Sequence, residues 1–243
     1  MTQLSPTTAR VAFWAGAKAT IPLIVGATPF GIIFGALAVT SGLSPAGAAA
    51  MSAFVFAGSA QFISVGLIAS VASLPVIIGT TFIVNLRHML YSATLAPHLK
   101  GISHRWLLPL GFWLTDESFV VAAKHFEQNN ESKQKHWFLL GSELFMYGNW
   151  QLVTWIGIRA GQAIPDPRSW GLDFAMIVTF IGMLVPEVKG LPTVAAIVVA
   201  STAALLGNDL PNQSGLLLAA LFGIAAGVVT ESLQSQNHGA TAK

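Results

Sequence analysis

Arg87, Asp116 and Glu117 are ionisable side chains set deep inside long apolar runs. A charge far from the end of a membrane-crossing helix marks a substrate or ion path by default, because lipid penalises it heavily. Arg87 stands ten residues before Pro97, and Asp116 stands ten residues after Trp106. On a helix each lies about 15 Å inside its run. If the two runs pair as an antiparallel hairpin, the opposite charges meet near mid-membrane, where an ion pair lowers the cost of burying either one. Such a pair either fixes helix packing or belongs to a functional cluster, and the second reading is preferred here. On the Arg87 run, Thr81, Asn85, His88 and Ser92 fall on one helical stripe, with Arg87, Tyr91 and Thr94 on the next. A helix so decorated faces a cavity or polar partners rather than lipid.

Three further places carry polar or backbone chemistry. In VFAGSAQF, residues 55–62, Gly58, Ser59 and Gln61 interrupt an apolar stretch; they serve close helix packing or a binding turn. In GATPFG, residues 26–31, Pro29 removes a helix hydrogen bond beside Gly31, so the first apolar helix is expected to kink or break and turn its freed backbone groups inward. Glu143, Tyr147 and Asn149 lie near the start of a later run; Glu143 sits only about 9 Å inside it and can snorkel to the interface, which makes it the weaker candidate.

The elements that position these residues follow from composition. The chain has 243 residues, 53% hydrophobic and 9% charged, with mean hydropathy +0.66. So few charges cannot cover a water-exposed surface, which excludes an ordinary soluble enzyme and intrinsic disorder alike. An all-α polytopic membrane bundle of seven or eight transmembrane helices, the first one broken, is expected. The eight-span reading places them at about Ala19–Val39, Ala46–Ile68, Pro75–Leu95, Trp106–Ala123, His136–Ile158, Leu172–Val185, Thr193–Leu206 and Gly215–Val229. The whole of 1–243 reads as one membrane domain, with Met1–Lys18 a cytoplasmic lead and Gln234–Lys243 a flexible tail. The apolar run from Ile21 outlasts the h-region of a cleaved signal, so a first span is preferred.

On that topology seven Lys and Arg lie on the N-terminal side and four on the other, Lys100, Arg105, Arg159 and Arg168. The bias puts the N-terminus in the cytoplasm. The formal net charge of +2, with no basic cluster, gives no nucleic-acid footprint. Cysteine is absent, no paired-His or P-loop pattern occurs, and neither a metal nor a cofactor is expected. Trp14, Trp106, Trp137 and Trp170 suit an interfacial aromatic belt.

The ordered set GATPFGIIFG, MSAFVFAGSAQF, NLRHMLYSATLAPHL and LTDESF resembles the large subunit of AzlC-type branched-chain amino-acid exporters, clearly over residues 21–119 and more weakly through DFAMIVTFIGMLVPEVKG. The resemblance implies a multi-pass protein of the bacterial cytoplasmic (inner) membrane that exports valine, leucine, isoleucine and methionine by secondary transport. It also implies a small hydrophobic AzlD-type partner subunit. A zwitterionic substrate needs partners at both ends. Backbone N–H groups near Pro29 and Gly31 or in the turn at Gly58, Ser59 and Gln61 suit its carboxylate, as does Arg87. Asn85, His88 and Tyr91 extend the same surface. Asp116 or Glu117 suits the ammonium and can exchange a proton as the coupling step. Phe30, Phe34, Phe56 and Phe62 either line the apolar part or pack the core. Two other readings compete: an intramembrane enzyme using Ser59 as nucleophile and His88 as base, and a channel or scaffold subunit with no transport cycle.

Overall fold

A computed structural model describes residues 8–128, 134–163, 181, 185, 188–210 and 214–241. The expected span Leu172–Val185 lies largely outside these. Every regular element among the described residues is helical, and three helices are long and apolar enough to cross a membrane: Ala9–Thr40, Leu74–Leu99 and Leu218–Ser235. The helices are α1 Ala9–Thr40, α2 Pro45–Phe54, α3 Gly58–Ala69, α4 Leu74–Asn85, α5 Arg87–Leu95, α6 His104–Trp113, α7 Asp116–Gln128, α8 Lys135–Ala163, α9 Leu191–Leu206 and α10 Ser214–Thr241, with a 3₁₀ turn at Ala96–Leu99. α1 thus begins inside the expected lead, and α10 continues through Gln234 as helix.

The chain forms two compact units, residues 1–62 with 85–167, and residues 63–84 with 168–243. In the second, α9 and α10 pack antiparallel: Gly215 lies on Gly207, Gly223 on Ala200 and Gly227 on Ala196.

The first unit is built on α1 and α8, which run parallel. Gly16 lies on the Phe138 carbonyl, Thr20 bonds Ser142 at 2.6 Å, Gly31 lies on Val153, Gly35 on Thr154 and Ile158, and Gly161 on Ala36. Glycines line both sides, with Gly141 against Phe13 and Gly157 against Ile32. Lipid is as apolar as a leucine side chain, so tight backbone approach and dispersion contacts, rather than water exclusion, hold such a pair.

The expected break in α1 does not form. The helix runs unbroken from Ala9 to Thr40 with Pro22 and Pro29 inside it. Both prolines are exposed, while the glycines of the opposite face are buried against α8. Packing along the buried face holds the helix together across the two missing N–H groups.

The breaks fall elsewhere, in segments expected to cross as single helices. Along α2, Ser52 bonds Thr154 and Tyr147 Oη donates to the Ala53 carbonyl, so α2 descends against α8. The chain reverses at 55–57, where Phe56 takes φ +38°. α3 then climbs back: Gly58 meets Trp150, and Phe62 meets Phe34. The fourth segment does the same from the other end. α6 runs along α8 from Trp106 beside Trp137 to Trp113 beside Tyr147. After Leu114 the chain turns, and α7 returns until His125 and Phe126 reach Phe138. Both segments are divided into two half-helices by a turn. Irregular backbone at such depth is tolerated where protein or an aqueous cavity covers it.

Candidate functional site

The two hairpin tips meet at Tyr147, twelve residues into α8 and so about 18 Å from its start. Its ring packs edge-on against Phe56 of the first tip, centroids 4.8 Å apart. Trp113 of the second tip lies 6.0 Å from the same ring. Tyr147 shares a helical stripe with Glu143, Trp150 and Thr154, at spacings of four, three and four.

The α7 tip is acidic. Thr115 and Ser118 cap the helix reciprocally: the Ser118 hydroxyl accepts from the Thr115 N–H at 2.8 Å, and the Thr115 hydroxyl accepts from the Ser118 N–H at 3.4 Å. A capping box of this kind satisfies donors that the half-helix would otherwise leave bare. It also sets Asp116 and Glu117 in the first turn, where the helix dipole favours negative charge. Arg87 Nη2 lies 3.0 Å from Asp116 Oδ2. Tyr91 Oη donates to Asp116 Oδ1 at 2.5 Å, and the Tyr91 ring stacks on Phe119 at 4.4 Å. The side chains of Arg87 and Asp116 remain 28% and 42% exposed, so the pair is accessible rather than sealed. Glu117 is partly buried.

The Arg87–Asp116 pairing expected from depth is therefore made, but by a different geometry. The segments were expected to be antiparallel; α5 and α7 run parallel, with Arg87 at Asp116, Tyr91 at Phe119 and His98 at Phe126. The fourth segment reverses at Leu114 and so presents the start of α7, not the middle of a spanning helix, to Arg87.

The α3 tip carries no acid in its first turn. Trp150 covers Gly58, where a Cβ would come within 3.3 Å of the indole. Ser59 Oγ and both polar atoms of the Gln61 amide are buried without hydrogen-bond partners among the described residues, and Gln61 is 0% exposed. Unpaired buried donors and acceptors cost about 1–3 kcal/mol each.

Other expected residues are distributed as follows. Pro29 is exposed in a continuous helix and offers no helix terminus; Gly31 is a packing glycine beneath Val153. Leu86, itself helical in φ and ψ, separates α4 from α5. Asn85 Oδ1 is buried without a partner among the described residues, while its carbonyl lies 3.1 Å from His88 Nδ1. Ser92 and Thr94 are exposed, and Thr94 bonds its own helix. Ser59 and His88 make no hydrogen bond to each other, so the nucleophile–base pair does not form. Glu143 does not snorkel: it is 0% exposed and its two carboxyl oxygens have no partner among the described residues. Tyr147 and Glu143 were seen in the sequence only as shallow polar residues; their shared stripe with Trp150 was the available signal.

A sequence model of the AzlC protein family matches residues 22–164. An uncharacterized membrane protein of Archaeoglobus fulgidus is 34% identical, covering 87% of this chain and 92% of its own length. The inner membrane protein YgaZ of Escherichia coli is 26% identical over 97% and 96% of the two chains. The branched-chain amino acid transport protein AzlC of Bacillus subtilis is 27% identical over 73% and 70%. No solved structure matches the chain.

Proposed function

The chain belongs to the AzlC family, and from that premise we propose that it is a secondary transporter exporting valine, leucine, isoleucine and methionine across the cytoplasmic membrane, driven by an ion or proton gradient. The relative named for branched-chain amino acid transport supports the substrate class. The single observation that carries the mechanism is the meeting of two unlike half-helix tips at Tyr147.

A zwitterion fits that asymmetry. Its carboxylate goes to the acid-free first turn of α3, beside Trp150, where Ser59 Oγ and the Gln61 amide have no hydrogen-bond partner among the described residues. Its ammonium goes to Asp116 and Glu117 at the start of α7. There it competes with Arg87, which moves off Asp116 as substrate arrives, and with a proton. Asn85, His88 and Tyr91 border the Arg87 side. The rings of Phe56, Phe34 and Phe62 suit an aliphatic side chain.

Orientation follows from the hairpins. The start of α1, the start of α6, the end of α7 and the start of α8 all lie at one end of the first unit. Arg10, Lys18, Lys100, Arg105, Lys124 and Lys135 gather there, and Arg159 lies near the other end. By the positive-inside rule this bias within the first unit supports a cytoplasmic location for that end and the N-terminus. A small AzlD-type hydrophobic subunit completes the proposed assembly.

Reconstitution in vesicles, with and without that subunit, tests the reading. Saturable counterflow of labelled valine, competed by leucine and isoleucine but not by polar amino acids, is expected. Equal competition by polar amino acids rejects the substrate class, and unsaturable flux rejects a carrier in favour of a pore.

A further inference from the structure

We infer that Glu143 is a proton-binding site of the transport cycle, separate from the acidic tip of α7. The inference rests on the transporter reading above. Glu143 is 0% exposed, and neither carboxyl oxygen has a hydrogen-bond partner among the described residues. It stands eight residues into α8, about 12 Å from the helix start and one turn before Tyr147.

Its neighbour Ser142 shows that polar groups at this depth can be paired, for it bonds Thr20 across the α1–α8 seam at 2.6 Å. Glu143 has no such partner. The helices packed on α8 bring few charges toward it. α1 carries Arg10 and Lys18, both exposed, and α2 carries no titratable group. α6 carries His104 and Arg105, both exposed, at the end remote from Trp113, and the 3₁₀ turn carries His98. On α7, Asp116 is taken by Arg87 and Tyr91 with Glu117 beside it, while Lys124, His125 and Glu127 lie at the opposite end. On α8 itself, Lys135, His136, Tyr147 and Arg159 make no bond to it.

An ionised carboxylate cannot be kept in such a place without a partner, so in this conformation the position holds a proton. A neutral carboxyl there costs far less than a charged one. Any rearrangement of the tips about Tyr147 that admits water or a cation to Glu143 lets the proton leave. Substrate movement at the tips and proton release one turn away are then linked through one stripe of one helix.

The test combines infrared spectroscopy and transport in vesicles holding the full chain. Without substrate, the wild-type protein shows the carbonyl band of a protonated carboxylic acid that Glu143→Gln lacks; an unchanged band in that variant overturns the inference. Glu143→Gln is also expected to retain valine counterflow while a pH gradient no longer drives accumulation. Retained gradient-driven accumulation likewise overturns it. Should Glu143→Gln fail to fold, Glu143→Asp decides: it is expected to keep an acid band, shifted from that of the wild type, and an unshifted band counts against the site. The infrared result stands whether or not valine is the substrate, so failure of the transporter reading and failure of this inference are told apart.

Discussion

The Tyr147 ring sits edge-on to Phe56 at 4.8 Å, and its hydroxyl donates to the Ala53 carbonyl at 3.2 Å. One side chain thus holds the first hairpin tip by ring and by hydrogen bond, while facing Trp113 of the second. Tyr147→Phe keeps the ring contacts and loses one neutral hydrogen bond, of about 0.5–1.5 kcal/mol. Near-wild-type valine counterflow with slightly lower thermal stability is expected. Tyr147→Ala removes the aromatic meeting point and should abolish counterflow while the protein still purifies as a monodisperse species. The comparison is made on purified, reconstituted variants.

The Arg87–Asp116–Tyr91 cluster gives a graded series. Asp116→Asn leaves Arg87 without its counter-charge and removes the proposed ammonium partner, so valine counterflow should fall at least about tenfold, equivalent to ~1.4 kcal/mol. Tyr91→Phe retains the stack on Phe119 and removes one hydrogen bond to a carboxylate, of about 1.5–3 kcal/mol. Its loss of activity should be smaller than that of Asp116→Asn. Initial counterflow rates at several valine concentrations order the two variants.

The α1–α8 seam separates packing glycines from indifferent ones. A methyl on Gly35 would overlap the Thr154 carbonyl, and one on Gly157 the Ile32 carbonyl. Gly35→Ala and Gly157→Ala should each destabilise the fold by about 1–3 kcal/mol or more. Gly26 on the same helix as Gly35 has nothing within 4 Å of its would-be Cβ. Gly26→Ala should be neutral or stabilise the helix by up to ~1 kcal/mol. Thermal unfolding followed by size-exclusion chromatography reads all three.

These relationships were legible in the sequence to different degrees. Rarity made Arg87 and Asp116 visible: where charges are few, two opposite ones at equal depth find each other. Their true geometry was hidden, because the reversal at Leu114–Thr115 carries neither glycine nor proline. The reversal at Phe56 was partly legible, since Gly58, Ser59 and Gln61 read as a packing stretch or a turn, but a left-handed φ at a phenylalanine has no sequence signal. Pro29 announced a break that did not come, because local propensity yielded to the glycine seam on the opposite face of α1. Glu143 looked shallow when counted from Trp137, and only the packing of α1 and the hairpins around α8 shows that its route to the interface is closed.

At the polar end of the first unit, His125 stacks on Phe138 at 3.6 Å. Burial, and secondarily the charge of Lys135, pushes its imidazole below the usual value of 6.5. The folded state therefore binds this proton less well than the unfolded chain. Its contribution to stability is fully present above pH 6.5 and is lost as pH falls from there toward the lowered folded value. His125→Phe should flatten that part of the profile, as measured by thermal unfolding in detergent between about pH 5 and 8.

The central claim is that one substrate zwitterion bridges the two tips, carboxylate to α3 and ammonium to α7. Competition against labelled-valine counterflow tests it most directly, using the amine that lacks valine's carboxyl group and the acid that lacks its amino group. Valine and leucine are expected to compete, and both truncated analogues to fail even at a hundredfold excess, about 2.7 kcal/mol of lost binding. Effective competition by either analogue would show that one tip is dispensable for recognition and would contradict the account.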